Sequence, residues 1–353
     1  MSMDRHQFLK YMGAFAGASL LPDLGFGFSP SSDNKPGIFD LHCHTGRFFA
    51  KGSSTYPGDE AFAKALVEMN QAGVNSVFLS IVSDISLLRI TDKGVVVDSK
   101  LEKGVAWESY KNQLVILKEL IKNQNAQIGT SVGDLKNSKE VNLFLSCEGA
   151  DFVEEDVDRI NEVYEQGVRS VQLVHYVPNN VGDLQTAAPL NDGLSVYGKS
   201  IVKRLTELGM VIDLAHASFE TVKGVAESTG APLLLSHSIL AGDPNRPIAA
   251  RALSRDHAKL IAETGGLIGA WPSGFSKDFE DFVENTLRLI DVVGVDHVGI
   301  GTDMDANFQP VINDYFGVEK WLQALAAKGL SNAEVEKIAG GNARRLISSI
   351  LKA

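Results

Sequence analysis

The sequence predicts an α/β fold, a single (β/α)8 barrel (TIM barrel) with loop insertions after strands 2 and 4. Three observations carry that prediction. Short β-branched or apolar runs recur from residue 38 to residue 302, most of them continuous rather than alternating, as parallel strands covered on both faces are. Amphipathic stretches separate these runs, and several end in a glycine suited to the C′ position of a helix: Gly73, Gly167, Gly209 and Gly265. The chain of 353 residues, 44% hydrophobic and 22% charged, has ordinary globular composition and enough length for such a barrel.

In chain order, residues 1–30 read as an export signal. Arg5-His6-Gln7-Phe8-Leu9-Lys10 precedes an apolar, small-residue run from Tyr11 to Leu21, which resembles a twin-arginine leader with His6 in place of the second arginine. A periplasmic protein is expected, with a cytoplasmic one as the alternative. Residues 31–37 are read as a linker, and residues 38–353 as one (β/α)8 domain. Strands are predicted at 38–42, 74–80, 143–147, 168–174, 210–214, 232–236, 266–271 and 297–302. Helices are predicted at 60–71, 105–122, 156–166, 196–207, 219–228, 255–263 and 279–292. The insertion after strand 2 contains a hairpin from Arg89 to Val97, turning at Asp92-Lys93-Gly94. The insertion after strand 4, residues 178–193, is a polar loop. The tail, 331–351, reads as one or two helices, with Asn342 as a cap for the last.

A net charge of -11 argues against nucleic-acid or anionic-membrane partners, which call for a basic patch. Two cysteines, Cys43 and Cys147, are too few for a disulfide framework, and strand alternation turns them away from the barrel mouth. No apolar run beyond the leader approaches the ~20 residues of a membrane span.

Chemistry concentrates where barrel enzymes place it, at strand C-termini. His42 and His44 flank Cys43 at the first strand end, and Glu148 follows the third. His175 ends the fourth, His216 the fifth, His237 the sixth and Asp303 the eighth. Five of the eight histidines thus converge on one mouth. Two divalent ions ~3.5–4 Å apart need a bridging ligand. Glu148 is expected to bridge, with His42 and His44 on one ion and His216 and His237 on the other. Water or hydroxide between the ions would be the nucleophile, Asp303 the acid/base, and His175 the stabiliser of a tetrahedral oxyanion. Asp213 and Asp305 are read as partners that orient imidazoles. His257, within a helix, and His297, opening the eighth strand, are assigned to structure.

Six stretches in order complete the pattern: Glu148-Gly149, Leu173-Val174-His175, Val211 to Ser218, Leu235-Ser-His-Ser238, Gly301 to Asp305 and Gly340 to Arg344. The chain resembles the membrane (renal) dipeptidases, zinc-dependent (β/α)8 enzymes of the metal-dependent hydrolase superfamily, from Ile38 to its C-terminus. The resemblance implies zinc at His42, Glu148, His216 and His237, a dipeptide substrate and a homodimer. It also implies an arginine for the substrate's C-terminal carboxylate, best matched by Arg251 and next by Arg246. His44 departs from it, standing where the family's opening motif has aspartate, and Met304-Asp305-Ala306 replaces the usual F-D-G. The rival readings are a phosphoesterase opening with the same H-x-H pair, a lysine-bridged amidohydrolase, and a metal-binding barrel without catalysis.

Overall fold

The computed structural model describes residues 37–91, 94–135, 140–246 and 248–352. The leader, most of the linker and part of the predicted hairpin turn lie outside the described residues. Eight parallel strands form the barrel: β1 Ile38–Cys43, β2 Val74–Val82, β3 Asn142–Glu148, β4 Val168–Gln172, β5 Val211–Asp213, β6 Leu234–Ser238, β7 Leu267–Ala270 and β8 Val298–Ile300. Their order is β2-β1-β8-β7-β6-β5-β4-β3, and β2 pairs with β3 from Ser76↔Asn142 to Val82↔Glu148, which closes the ring. The two-residue strand Gln127–Ile128 adds to β3 and has no counterpart in the sequence prediction.

Helices cover the outside, and serines or aspartates start many of them. Ser195, Ser218, Ser254, Asp278, Asp314 and Ser331 each accept a backbone N–H of the first turn. The four predicted C′ glycines all have φ between 73° and 106°, the left-handed region that only glycine enters without strain. Inside, Phe39, Phe78 and Phe144 pack with ring centroids 5.5–6.0 Å apart, and Leu346 and Ile347 of the helix Asn342–Ile350 join that inner cluster. Aromatic bulk therefore fills the barrel interior and leaves the polar groups to the mouth.

Three expectations change. Asn342 is helical and does not cap; its Nδ2 donates to the carbonyls of Val295 and Val298, tying the last helix to β8. β4 and β5 stop earlier than predicted, so His175 and His216 stand on the loops beyond them. β6 lies later than predicted, so His237 sits within it. The hairpin stands as predicted, with Leu88–Thr91 antiparallel to Gly94–Val97. Cys43 and Cys147 are free and buried in the apolar layer between strands and helices. Among the described residues no helix is long and apolar enough to cross a membrane.

Candidate metal centre and active site

Glu148 ends β3 and is buried, 3% exposed, amid four strand ends that each bring an imidazole. His42 Nε2 lies 3.3 Å from Glu148 Oε1 and His44 Nε2 3.3 Å from Oε2. His175, His216 and His237 Nε2 approach Oε1 at 3.4, 3.4 and 3.7 Å. Asp303 Oδ1 stands 3.3 Å from His44 Nε2. All seven sequence-predicted residues of the mouth are thus in one cluster, drawn from β1, β3, β6 and the loops after β1, β4, β5 and β8.

The backbone is bent to achieve this. His216 (φ 68°) and Asp303 (φ 53°) occupy the left-handed region, rare outside glycine and frequent at functional sites. Asp40 fastens β1 to β8: its carboxylate accepts from the Thr302 hydroxyl at 2.6 Å, the Thr302 N–H at 2.9 Å, the Tyr315 hydroxyl at 2.9 Å and the His42 N–H at 3.2 Å. Burial pushes Asp40 up to about 6, against those hydrogen bonds.

The donor set fits a cation. His42 and His44 face each other at 3.1 Å between Nε2 atoms, and so do His216 and His237. Two imidazole nitrogens this close need a proton or a metal between them. Burial holds His216 and His237 well below the usual imidazole range, which favours the neutral form that ligates a metal. At His44 burial acts downward too, but Asp303 and Glu148 outweigh it and lift the group to about 10; a metal ion would take the place of that proton. For Glu148 burial is outweighed by His175 and His42, which hold its carboxyl well below the usual range. Three triads have ligand atoms close enough for one ion each: His42–His44–Asp303, His42–Glu148–His237 and Glu148–His175–His216.

The outer partners differ from those predicted. Asp213 accepts the N–H groups of Ala215 and Ser236, and Asp305 that of Gly46, so neither bonds an imidazole. Instead His44 Nδ1 donates to the Ser80 carbonyl at 3.0 Å, and Ser236 Oγ meets His237 Nδ1 at 3.0 Å and His42 Nδ1 at 3.4 Å. His175 Nδ1 pairs with Asp84 at 2.7 Å. Asp84 follows the end of β2, so the strand-end rule that found the histidines also reaches it. His257 and His297 lie off the cluster, the latter bonded to the Gly266 carbonyl.

Arg251 is buried, 1% exposed, and lies 5.3 Å from the Trp271 ring, which in turn packs 5.4 Å from His237. Its Nη1 donates to Gln185 at 2.7 Å, while Nε and Nη2 make no hydrogen bond of normal geometry, with Tyr176 beside the guanidinium. Those two N–H groups form one edge of the guanidinium, the edge that grips a carboxylate with two parallel bonds. Arg246 donates from Nε to the Phe275 carbonyl and from Nη2 to the carbonyls of Gly274 and Ser276, so the corresponding edge of its guanidinium is occupied.

The family model described as membrane dipeptidase, peptidase family M19, matches residues 38–353. The chain belongs to that family. It is a hydrolase of the metallodipeptidase class on a (β/α)8 barrel, with a donor cluster suited to metal. Dipeptidase verJ of Clonostachys rogersoniana is 26% identical over 298 residues, covering 81% of this chain and 75% of that protein. Dipeptidase aclJ of Aspergillus oryzae is 26% identical over 222 residues, and there the match spans about half of the relative, 52%, and 60% of this chain. Among solved structures, a metallopeptidase from Rhodobacter sphaeroides, liganded with a phosphinate mimic of the dipeptide L-Ala-D-Ala, superposes with a TM-score of 0.74. It is 20% identical, and the match covers 90% of this chain and 100% of that one, a likeness of fold.

Proposed function

We propose that the chain hydrolyses the peptide bond of dipeptides at a dinuclear zinc centre. The observation that carries this reading is a carboxylate ringed by five imidazoles beside a buried arginine whose carboxylate-binding edge is free. His42 and His44 would hold one ion, His216 and His237 the other, and Glu148 both. Bound zinc supplies Lewis-acid polarisation and water acidified to about pKa 7.

The chain's own groups do the rest. Arg251 Nε and Nη2 grip the C-terminal carboxylate and so fix the scissile carbonyl over the cluster. His175 is read as the imidazolium, since burial acts downward but Asp84 and Glu148 outweigh it and raise the group. With Nδ1–H on Asp84, its Nε2–H donates to the oxyanion as the carbonyl carbon becomes tetrahedral. Asp303 accepts the proton of the attacking water and returns one to the departing amine nitrogen. The dinuclear count and zinc itself are supported by the two imidazole pairs and by the nitrogen-rich donor set. We further propose that residues 1–30 direct export to the periplasm, to be read by cell fractionation.

The test is one purified sample assayed on a dipeptide panel, with metal analysis, before and after chelation. Chelator-sensitive dipeptide turnover with about two zinc ions per chain is expected from a two-metal site. Metal held without turnover would make the chain a binding protein, and turnover of phosphoesters alone would move it to another hydrolase class.

A further inference from the structure

Gln185 belongs to the polar loop after β4, a segment to which the sequence assigns no chemistry. In the structure that loop is sewn onto the end of β5. Leu184 bridges Ala217, the Asp183 carbonyl accepts the Ser218 N–H at 2.9 Å, and the Gln185 N–H donates to the His216 carbonyl at 2.8 Å. The Gln185 side chain is thereby delivered to Arg251. Its Nε2 donates to the Ala252 carbonyl at 3.2 Å, which leaves its Oε1 to accept from Arg251 Nη1 at 2.7 Å. The amide orientation follows from that arrangement, because a carbonyl only accepts.

Arg251 is held by several contacts, with Tyr176 also beside its guanidinium. Its backbone carbonyl accepts from the Ser238 hydroxyl at 3.2 Å, its guanidinium lies over Trp271, and Gln185 takes Nη1. The last contact decides which edge of the fork stays free. An arginine side chain has many rotamers, and one fixed Nη1 bond removes most of the rotation that would spoil a two-point grip. The partner is also uncharged. A glutamate in this place would neutralise the guanidinium and set a carboxylate against the Ala252 carbonyl. Glutamine fixes the cation and leaves its charge for the ligand.

We propose that Gln185 is the positioning residue for recognition of the substrate's C-terminal carboxylate, acting through Arg251. This rests on the reading of Arg251 given above. Gln185 also lines a cavity of about 680 Å³ with Leu184, Phe219 and His257, so it stands between the arginine and that outer space.

The experiment compares the zinc-loaded chain with its Gln185→Leu, Gln185→Glu and Arg251→Lys variants on alanyl-alanine and on alanyl-alanine amide. Calorimetric binding of a dipeptide phosphinate, melting temperature and zinc content are measured on the same samples. Gln185→Leu is expected to raise KM for the free acid about tenfold, with kcat within about threefold, since one hydrogen bond to a charged group is lost. Gln185→Glu raises it further. Neither variant changes the amide kinetics, and phosphinate affinity falls in parallel with the free-acid KM. Equal losses on acid and amide, or a fall in melting temperature that accounts for the loss, would show a merely structural residue and overturn the proposal. If Arg251→Lys leaves the acid-to-amide ratio and phosphinate affinity unchanged, the carboxylate reading of Arg251 itself fails and takes this proposal with it. A ratio changed by Arg251→Lys but not by the Gln185 variants overturns the role of Gln185 alone.

Discussion

Asp84 Oδ1 and His175 Nδ1 lie 2.7 Å apart in a pair that is almost wholly buried, and the other ring nitrogen of His175 faces Glu148 at 3.4 Å. The second Asp84 oxygen accepts the N–H groups of Tyr176 and Val177, so the carboxylate holds ring and backbone together. A carboxylate on Nδ1 fixes the tautomer and aims Nε2 inward. Replacing Asp84 with alanine is therefore expected to lower kcat about 10–100-fold with a smaller change in KM. Steady-state kinetics on a dipeptide check this, and a change confined to KM would assign Asp84 to binding instead.

Glu148 is the group on which five imidazoles converge. Glu148→Gln keeps the volume and one acceptor oxygen but removes the negative charge that would offset the proposed cations. Activity is expected to disappear and bound metal to fall, read by elemental analysis of the purified variant. Full activity in that variant would end the bridging role.

His44 Nδ1 is anchored to the Ser80 carbonyl and its Nε2 stands between Glu148 and Asp303. The family pattern has aspartate here, which adds one negative charge and exchanges a nitrogen donor for oxygen. His44→Asp is expected to shift preference from zinc toward a harder ion such as manganese. A competition titration with both metals measures the shift.

His257 is buried away from the cluster, and its Nε2 has no partner. Burial, with Arg251 nearby, lowers it from the usual 6.5 to about 4. Between those values the unfolded chain binds a proton that the folded chain excludes, so stability falls as pH falls through that window. The contribution lost between pH 7 and pH 5 is about 2 kcal/mol. Urea unfolding of the His257→Gln variant should show an acid loss smaller by about that amount than the unaltered chain shows.

The sequence by itself determined the barrel and most of the mouth. Continuous apolar runs, glycine helix stops and histidines placed at strand ends are local signals, and each survives because parallel strands must bury both faces and point their C-termini one way. His42, His44, Glu148, His175, His216, His237 and Asp303 were legible for that reason. The tertiary structure alone decided which groups stand behind them. Asp213 and Asp305 sit close to the clustered histidines in sequence yet bond backbone N–H groups, while Asp84 and the Ser80 carbonyl reach His175 and His44 from β2 and the loop after it, and Ser236 reaches His42 from β6. Arg251 and Arg246 were both visible as candidates, and only the structure shows that backbone carbonyls take Nε and Nη2 of Arg246 while those of Arg251 bond none. Gln185 reaches Arg251 across 66 positions of sequence, through a loop whose path no local pattern encodes. Strand position is written in a few neighbouring residues. The pairing of donors with acceptors depends on side-chain reach between distant segments, and only the closed barrel fixes that.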